Sequence, residues 1–168
     1  MGVSGAGKST LASALATRLG WYFLEADDLH PAANVAKMRA GQPLTDTDRG
    51  PWLQAIAQRL RQLSHANTDV VLACSALKVA YRQLLKQDGG DCLLIYLRAD
   101  PAELHRRLSD RKGHYMPAAL LDSQLSTLEE PAAAEHALRL DSHGSAEGNL
   151  ELAVAAINAA VARRRPRQ

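Results

Sequence analysis

Apolar and polar positions follow two rhythms along this chain. Runs that are apolar on consecutive residues, at 21–24 (WYFL), 70–74 (VVLAC), 92–97 (CLLIYL) and more weakly 137–140 (ALRL), read as strands covered on both faces. Longer stretches at 8–19, 32–40, 51–63, 76–87, 101–111, 117–128 and 150–163 carry helical patterning. Strand and helix in alternation predict a parallel sheet with right-handed crossovers, a three-layer α/β architecture. Two polar interruptions, 41–50 and 112–117, read as mobile loops.

Composition narrows this picture without changing it. With 168 residues, 46% hydrophobic and 23% charged, the chain suits one globular domain over 1–168, and no apolar run approaches the roughly 18 residues of a membrane helix. The net charge of +2 rests on Arg163, Arg164, Arg165 and Arg167, without which acidic residues outnumber basic ones by two. A whole-surface nucleic-acid footprint is therefore not expected, and the basic tail 163–168 reads as a solvated end. Cys74 and Cys92 lie in strand-like runs and read as buried free thiols of a reducing compartment. With no export signal in the pattern, a cytoplasmic protein with neither membrane nor nucleic-acid partner is expected.

Chemistry enters at residues 2–9, Gly-Val-Ser-Gly-Ala-Gly-Lys-Ser, a full match to G-x-x-x-x-G-K-[ST] that arises by chance about once in two hundred chains of this length. Its glycines let the backbone curl so that amides of the segment through Gly2, Ser4, Gly5, Ala6 and Gly7 face a phosphate, and the loop runs into the positive end of a helix starting near Lys8. Lys8 adds a point charge for the β- and γ-phosphates, the Ser9 hydroxyl suits Mg²⁺, and Thr10 follows near the α-phosphate. ATP is the expected cofactor. Such a loop ordinarily follows a buried strand, but only Met1 precedes it here, so the first central strand is expected to be missing from this chain.

Past the first strand comes Glu25-Ala26-Asp27-Asp28-Leu29-His30-Pro31. Ligands of open parallel sheets bind beyond the carboxyl ends of strands, so Asp27 is placed to orient or deprotonate an attacking hydroxyl and Glu25 to hold a water on Mg²⁺. Asp27 or Asp28 would otherwise cap the next helix. Asp46 or Asp48 ahead of Pro51-Trp52 reads as a helix start, with Trp52 as core. Arg107 and Arg111 stand four apart on a helical pattern and share a face.

The blocks DDLHPAANVAKMRAGQPLTDTDRGPWL (27–53), CSALKVAYRQLL (74–85) and RLSDRKGHYMPAALLDSQLSTLEEP (107–131), together with the glycine-rich loop, resemble the signature blocks of the gluconokinase family. The resemblance covers residues 2–131. It implies a P-loop kinase fold like that of shikimate and nucleoside monophosphate kinases, ATP-dependent phosphorylation of the 6-hydroxyl of D-gluconate, and a homodimer. It makes Asp27 the hydroxyl-orienting base and marks His30, Arg49, Lys78 and Arg82 as substrate-side positions. It also implies a lid over 107–131, with Arg111 closing on the transferred phosphoryl group, Arg107 second to it, and His114 shaping the lid. Ala26, Tyr115 and Leu125 depart from the family pattern, and Cys74-Ser75 stands where a Walker-B carboxylate would. Another small-molecule P-loop kinase, of shikimate type, or a non-catalytic nucleotide-binding protein are the alternatives.

Overall fold

The structure, a computed structural model, describes residues 1–88, 92–110 and 118–164, with main chain only at 87–88, 107–110, 118–119 and 164. Helix α1 (Lys8–Leu19) is bounded at both ends by left-handed glycines, Gly7 and Gly20, and packs on β1 (Tyr22–Glu25) and β2 (Val70–Ala73). A short 3₁₀ turn (Ala26–Leu29) and α2 (Ala32–Arg39) lead to α3 (Asp46–His65). After β2 come α4 (Val79–Asp88), β3 (Ile95–Arg98), α5 (Pro101–Asp110), α6 (Ala118–Thr127), β4 (Leu138–Asp141) and α7 (Ala146–Arg164). Strand and helix alternate as the apolar pattern predicts.

Among the described residues all strand pairing is parallel. Tyr22 to Glu25 align with Val70 to Ala73, and Ile95 to Arg98 with Leu138 to Asp141. One apolar cluster joins Leu11 and Leu15 of α1 to Leu97, Leu104, Leu140 and Ile157, and a second joins Leu24 to Trp52, Ile56 and Leu60 of α3 and to Tyr81 and Leu85 of α4. The helices thus bury their apolar faces on the strands in two separate cores.

Instead of one continuous sheet, the described strands form two pairs, β1–β2 and β3–β4. A cleft of about 1080 Å³ lies between β2 and β3, lined by Leu11 and Leu15 from α1, Val71 from β2 and Cys74 just after it, and Ile95 from β3 and Leu93 just before it. Only the end of this gap is closed. The Met1 nitrogen donates to the Ile95 carbonyl, the Leu97 amide donates to the Met1 carbonyl at 3.0 Å, and the Gly2 amide donates to Ser75 at 3.2 Å. Met1 and Gly2 therefore bridge β3 and the segment after β2 at one end of the cleft.

Several expected boundaries move for local reasons. Helix α3 begins at Asp46, one of the two starts read ahead of Pro51-Trp52 and earlier than the apolar pattern at 51, where Thr45 and Asp48 form a reciprocal capping box, so the helix takes up half of the loop expected over 41–50. Helix α4 starts at Val79 rather than 76, since Ala76 has a positive φ of 43° and Glu129 caps the Val79 amide at 2.6 Å. The third strand begins at Ile95 rather than 92, which leaves Cys92 exposed rather than buried. Helix α7 starts at Ala146, where the Ser145 hydroxyl accepts from the Gly148 amide at 3.0 Å.

Candidate active site

The loop between Met1 and α1 is shaped by close approach. Gly2 has φ +142°, and a Cβ there would lie 2.6 Å from the Leu97 carbonyl oxygen, so no larger residue fits. Gly5 and Gly7 also have positive φ, and Gly7 caps α1 without any side chain. The first turn of α1 carries no acidic residue, and Ser9 and Thr10 are exposed on it. A helix N-terminus behind left-handed glycines is the local construction of an anion cradle, and in this structure the Gly2 amide donates to Ser75 and the Ala6 amide to Val3 at 3.4 Å. Two interactions brace the loop. Lys8 Nζ donates back to the Val3 carbonyl at 3.0 Å, and the Ser4 amide donates to Gln124 Oε1 of α6 at 2.7 Å. Burial pushes the Lys8 ammonium below its ordinary pKa, while Asp27, Cys74 and Glu25 act in the opposite direction.

The facing wall comes from the 3₁₀ turn after β1 and from the start of α3. Asp27 is exposed, with Oδ1 4.0 Å from His30 Nε2, and the His30 side chain is only 5% exposed. The His30 ring stacks on Trp52 with centroids 4.3 Å apart and planes 10° from parallel, and Trp52 Nε1 donates to the Ala26 carbonyl at 2.7 Å. Burial lowers the His30 pKa, Asp27 raises it and Arg49 lowers it further. Arg49 is mostly buried, 3.8 Å from Asp46, and lines the same pocket as Ser4, Lys8, Asp27 and His30. The phosphate loop, one carboxylate, one imidazole and one guanidinium thus converge on a single pocket.

Two expected substrate-side cations are held differently. Lys78 Nζ pairs with Asp46 at 2.6 Å, and Asp46 also accepts from the Tyr81 hydroxyl. Arg82, 2% exposed, makes a two-pronged pair with Glu135 at 2.7 and 2.8 Å and donates to the carbonyls of Ala76, Leu77 and Glu129. The structure does not bring Arg82 to the pocket: its guanidinium is enclosed by these acceptors and ties α4 to the segment after α6. Arg107 lies on α5 with its side chain outside the described residues, and Arg111 and His114 of the expected lid also lie outside them.

Residue patterning did not reveal three contributors. Trp52 is both core and the platform under His30, a double role that its helical spacing hides. Asn34 is buried beside His30, where only the four-residue spacing hints at it. Gln124 reaches the loop from 120 residues away and has no local signal.

Residues 1–131 match a protein family described as AAA domain. The chain is 52% identical over 140 residues to a gluconokinase of Gluconobacter oxydans (strain 621H), covering 83% of this chain and 79% of that one. An unliganded sugar kinase from Janibacter sp. HTCC2649 is 39% identical with a TM-score of 0.90 over 94% of this chain and 91% of that one. A gluconokinase from Sinorhizobium meliloti 1021 is 41% identical with a TM-score of 0.83, covering 92% and 87%.

Proposed function

Since this chain belongs to the gluconokinase family of P-loop kinases, we propose that its pocket phosphorylates D-gluconate, giving 6-phospho-D-gluconate and ADP. The observation that carries the reading is the convergence of Lys8, Asp27, His30 and Arg49 on one pocket beside the phosphate loop. In this reading Gly2, Ser4, Gly5, Ala6, Gly7, Lys8, Ser9 and Thr10 cradle the ATP phosphates. The gluconate 6-hydroxyl oxygen attacks the γ-phosphorus, the bond to the β–γ bridging oxygen breaks, and the hydroxyl proton passes to the Asp27 carboxylate. His30 meets a hydroxyl and Arg49 the carboxylate of the sugar acid. Lys8 follows the charge that moves onto the bridging oxygen. Arg111 of the lid, with Arg107, neutralises the transferred group in the same reading.

The donor set fits Mg²⁺. The described residues contain no group of three or more His, Cys, Asp or Glu able to cage a cation, while Ser9 presents a hydroxyl on the first turn of α1. Ser9 would hold the ion beside nucleotide oxygens, and Glu25 at the carboxyl end of β1 would hold one of its waters. When bound, the ion draws negative charge from the phosphate oxygens.

The core cluster running from Val3 to Ile157 supports one kinase domain over 1–168. Family membership supports a homodimer in the cytoplasm, and no helix among the described residues is long and apolar enough to cross a membrane. The deciding experiment is an ADP-release screen with MgATP over gluconate, other sugar acids, shikimate and nucleoside monophosphates. Gluconate is expected to lead, and shikimate or a nucleotide exceeding it tenfold in kcat/KM overturns the reading.

A further inference from the structure

His30 faces the acceptor side of the pocket, and what it can do there depends on which ring nitrogen carries its proton. Its surroundings settle that question through Asn34, a buried side chain, 4% exposed, one helical turn further on. Asn34 Nδ2 lies 2.8 Å from the carbonyl oxygen of Asp48 and 3.3 Å from His30 Nδ1. A carbonyl oxygen can only accept, so the amide must turn its NH₂ end toward Asp48. The second hydrogen of the same nitrogen then faces His30 Nδ1, which must offer a lone pair.

We propose that Asn34 is a positioning residue that holds His30 as the neutral tautomer protonated at Nε2, so that the ring donates a hydrogen bond into the acceptor site. The inference rests on the reading of the pocket as a polyol kinase site and extends it to the hydroxyl pattern recognised there. Asp27 Oδ1 stands 4.0 Å from Nε2, beyond direct hydrogen-bond reach. A hydroxyl is the group that suits both, accepting from Nε2–H and donating to the carboxylate. The opposite tautomer would set a lone pair beside a carboxylate, and a hydroxyl, with one hydrogen, could satisfy only one of them.

The remaining degrees of freedom of the ring are already taken up. Its plane is set by the stack on Trp52, which is itself tied to the Ala26 carbonyl. Asn34 in turn is held by the main chain of Asp48, whose carboxylate closes the α3 capping box and pairs with Lys37 at 2.6 Å. The start of α3 is thus linked through Asn34 to the pocket. The lowered His30 pKa, caused first by burial, agrees with a neutral ring.

The test is ¹⁵N NMR of the ligand-free protein at neutral pH with labelled histidine, alongside steady-state kinetics of Asn34→Leu and Asn34→Asp. The wild-type His30 ring is expected to show a protonated Nε2 and an unprotonated Nδ1. Asn34→Leu should mix the tautomers, and Asn34→Asp should move the proton onto Nδ1. Both should raise the KM for gluconate roughly tenfold, the scale of one lost buried hydrogen bond, and leave the KM for ATP unchanged. A wild-type ring protonated at Nδ1, or an Asn34→Leu protein that keeps both the Nε2 proton and the wild-type KM, overturns the proposal. Should Asn34→Leu fail to fold, Asn34→Ala takes its place, with the same mixing of tautomers and rise in KM expected and the same unchanged result overturning the proposal. The spectrum requires no substrate, so a correct tautomer with no turnover of gluconate would count against the function and not against Asn34.

Discussion

Among single residues, the proposed reading divides the pocket into groups that meet phosphate and groups that meet the acceptor, and each has its own kinetic signature. Lys8→Ala removes the charge nearest the phosphate loop and is expected to lower kcat by about 10²-fold or more. Asp27→Asn keeps the shape but not the base, so kcat falls while ATP affinity stays close to wild type. Arg49→Ala should instead raise the KM for gluconate, because a carboxylate clamp binds ground and transition states alike. Full turnover by Asp27→Asn, or an unchanged KM in Arg49→Ala, would refute those roles. Arg82 calls for a different measurement. Removing it leaves Glu135, whose side chain is 14% exposed, without its partner, and Arg82→Ala is expected to cost about 3–5 kcal/mol in urea unfolding. Loss of gluconate binding at full stability would return Arg82 to the substrate side. The residue types alone could not separate Arg49 from Arg82, since both are cations in helical segments and only their partners differ.

At the level of elements, the start of α3 is the joint between fold and pocket. Asp48 is held down to a pKa of about 2, from an ordinary 3.8, by Lys37 first and then by the Thr45 amide and hydroxyl. Lys78 and then Tyr81 lower Asp46 as well. A carboxylate with a depressed folded pKa contributes stability that is complete above about pH 4 and is lost as pH falls toward 2. Asp48→Asn should therefore flatten the acid limb of a Tm-against-pH curve, and an unchanged limb would show that the cap is not ionic. The helical spans were legible from their apolar spacing, and the start of α3 from Asp46 or Asp48 ahead of Pro51-Trp52, whereas its cap at Thr45 was not. That first turn is polar, with Pro51 inside the helix, and only the fold shows Thr45 and Asp48 closing on each other as its cap.

For the whole molecule, the dominant feature is the cleft between β2 and β3. A short apolar, β-branched extension joined ahead of Met1 should lie in the cleft and pair with the facing edges of β2 and β3. It is expected to raise Tm above that of a Gly/Ser extension of equal length, and equal values would mean that the cleft does not accept a strand.

The amino-acid sequence by itself determined the α/β class, the parallel pairing, the family and the loop that runs into α1. Each of these is written in contiguous residues: apolar runs of fixed period, signature blocks, and glycines where the backbone needs positive φ or has no room for a Cβ. The tertiary structure decided which cations face the pocket, which nitrogen of His30 is left to accept, and what braces the phosphate loop. Those outcomes depend on partners far apart in the chain, Arg82 with Glu135 and Ser4 with Gln124. A buried charge or amide takes the nearest group that replaces its water, and only the folded chain fixes which group that is.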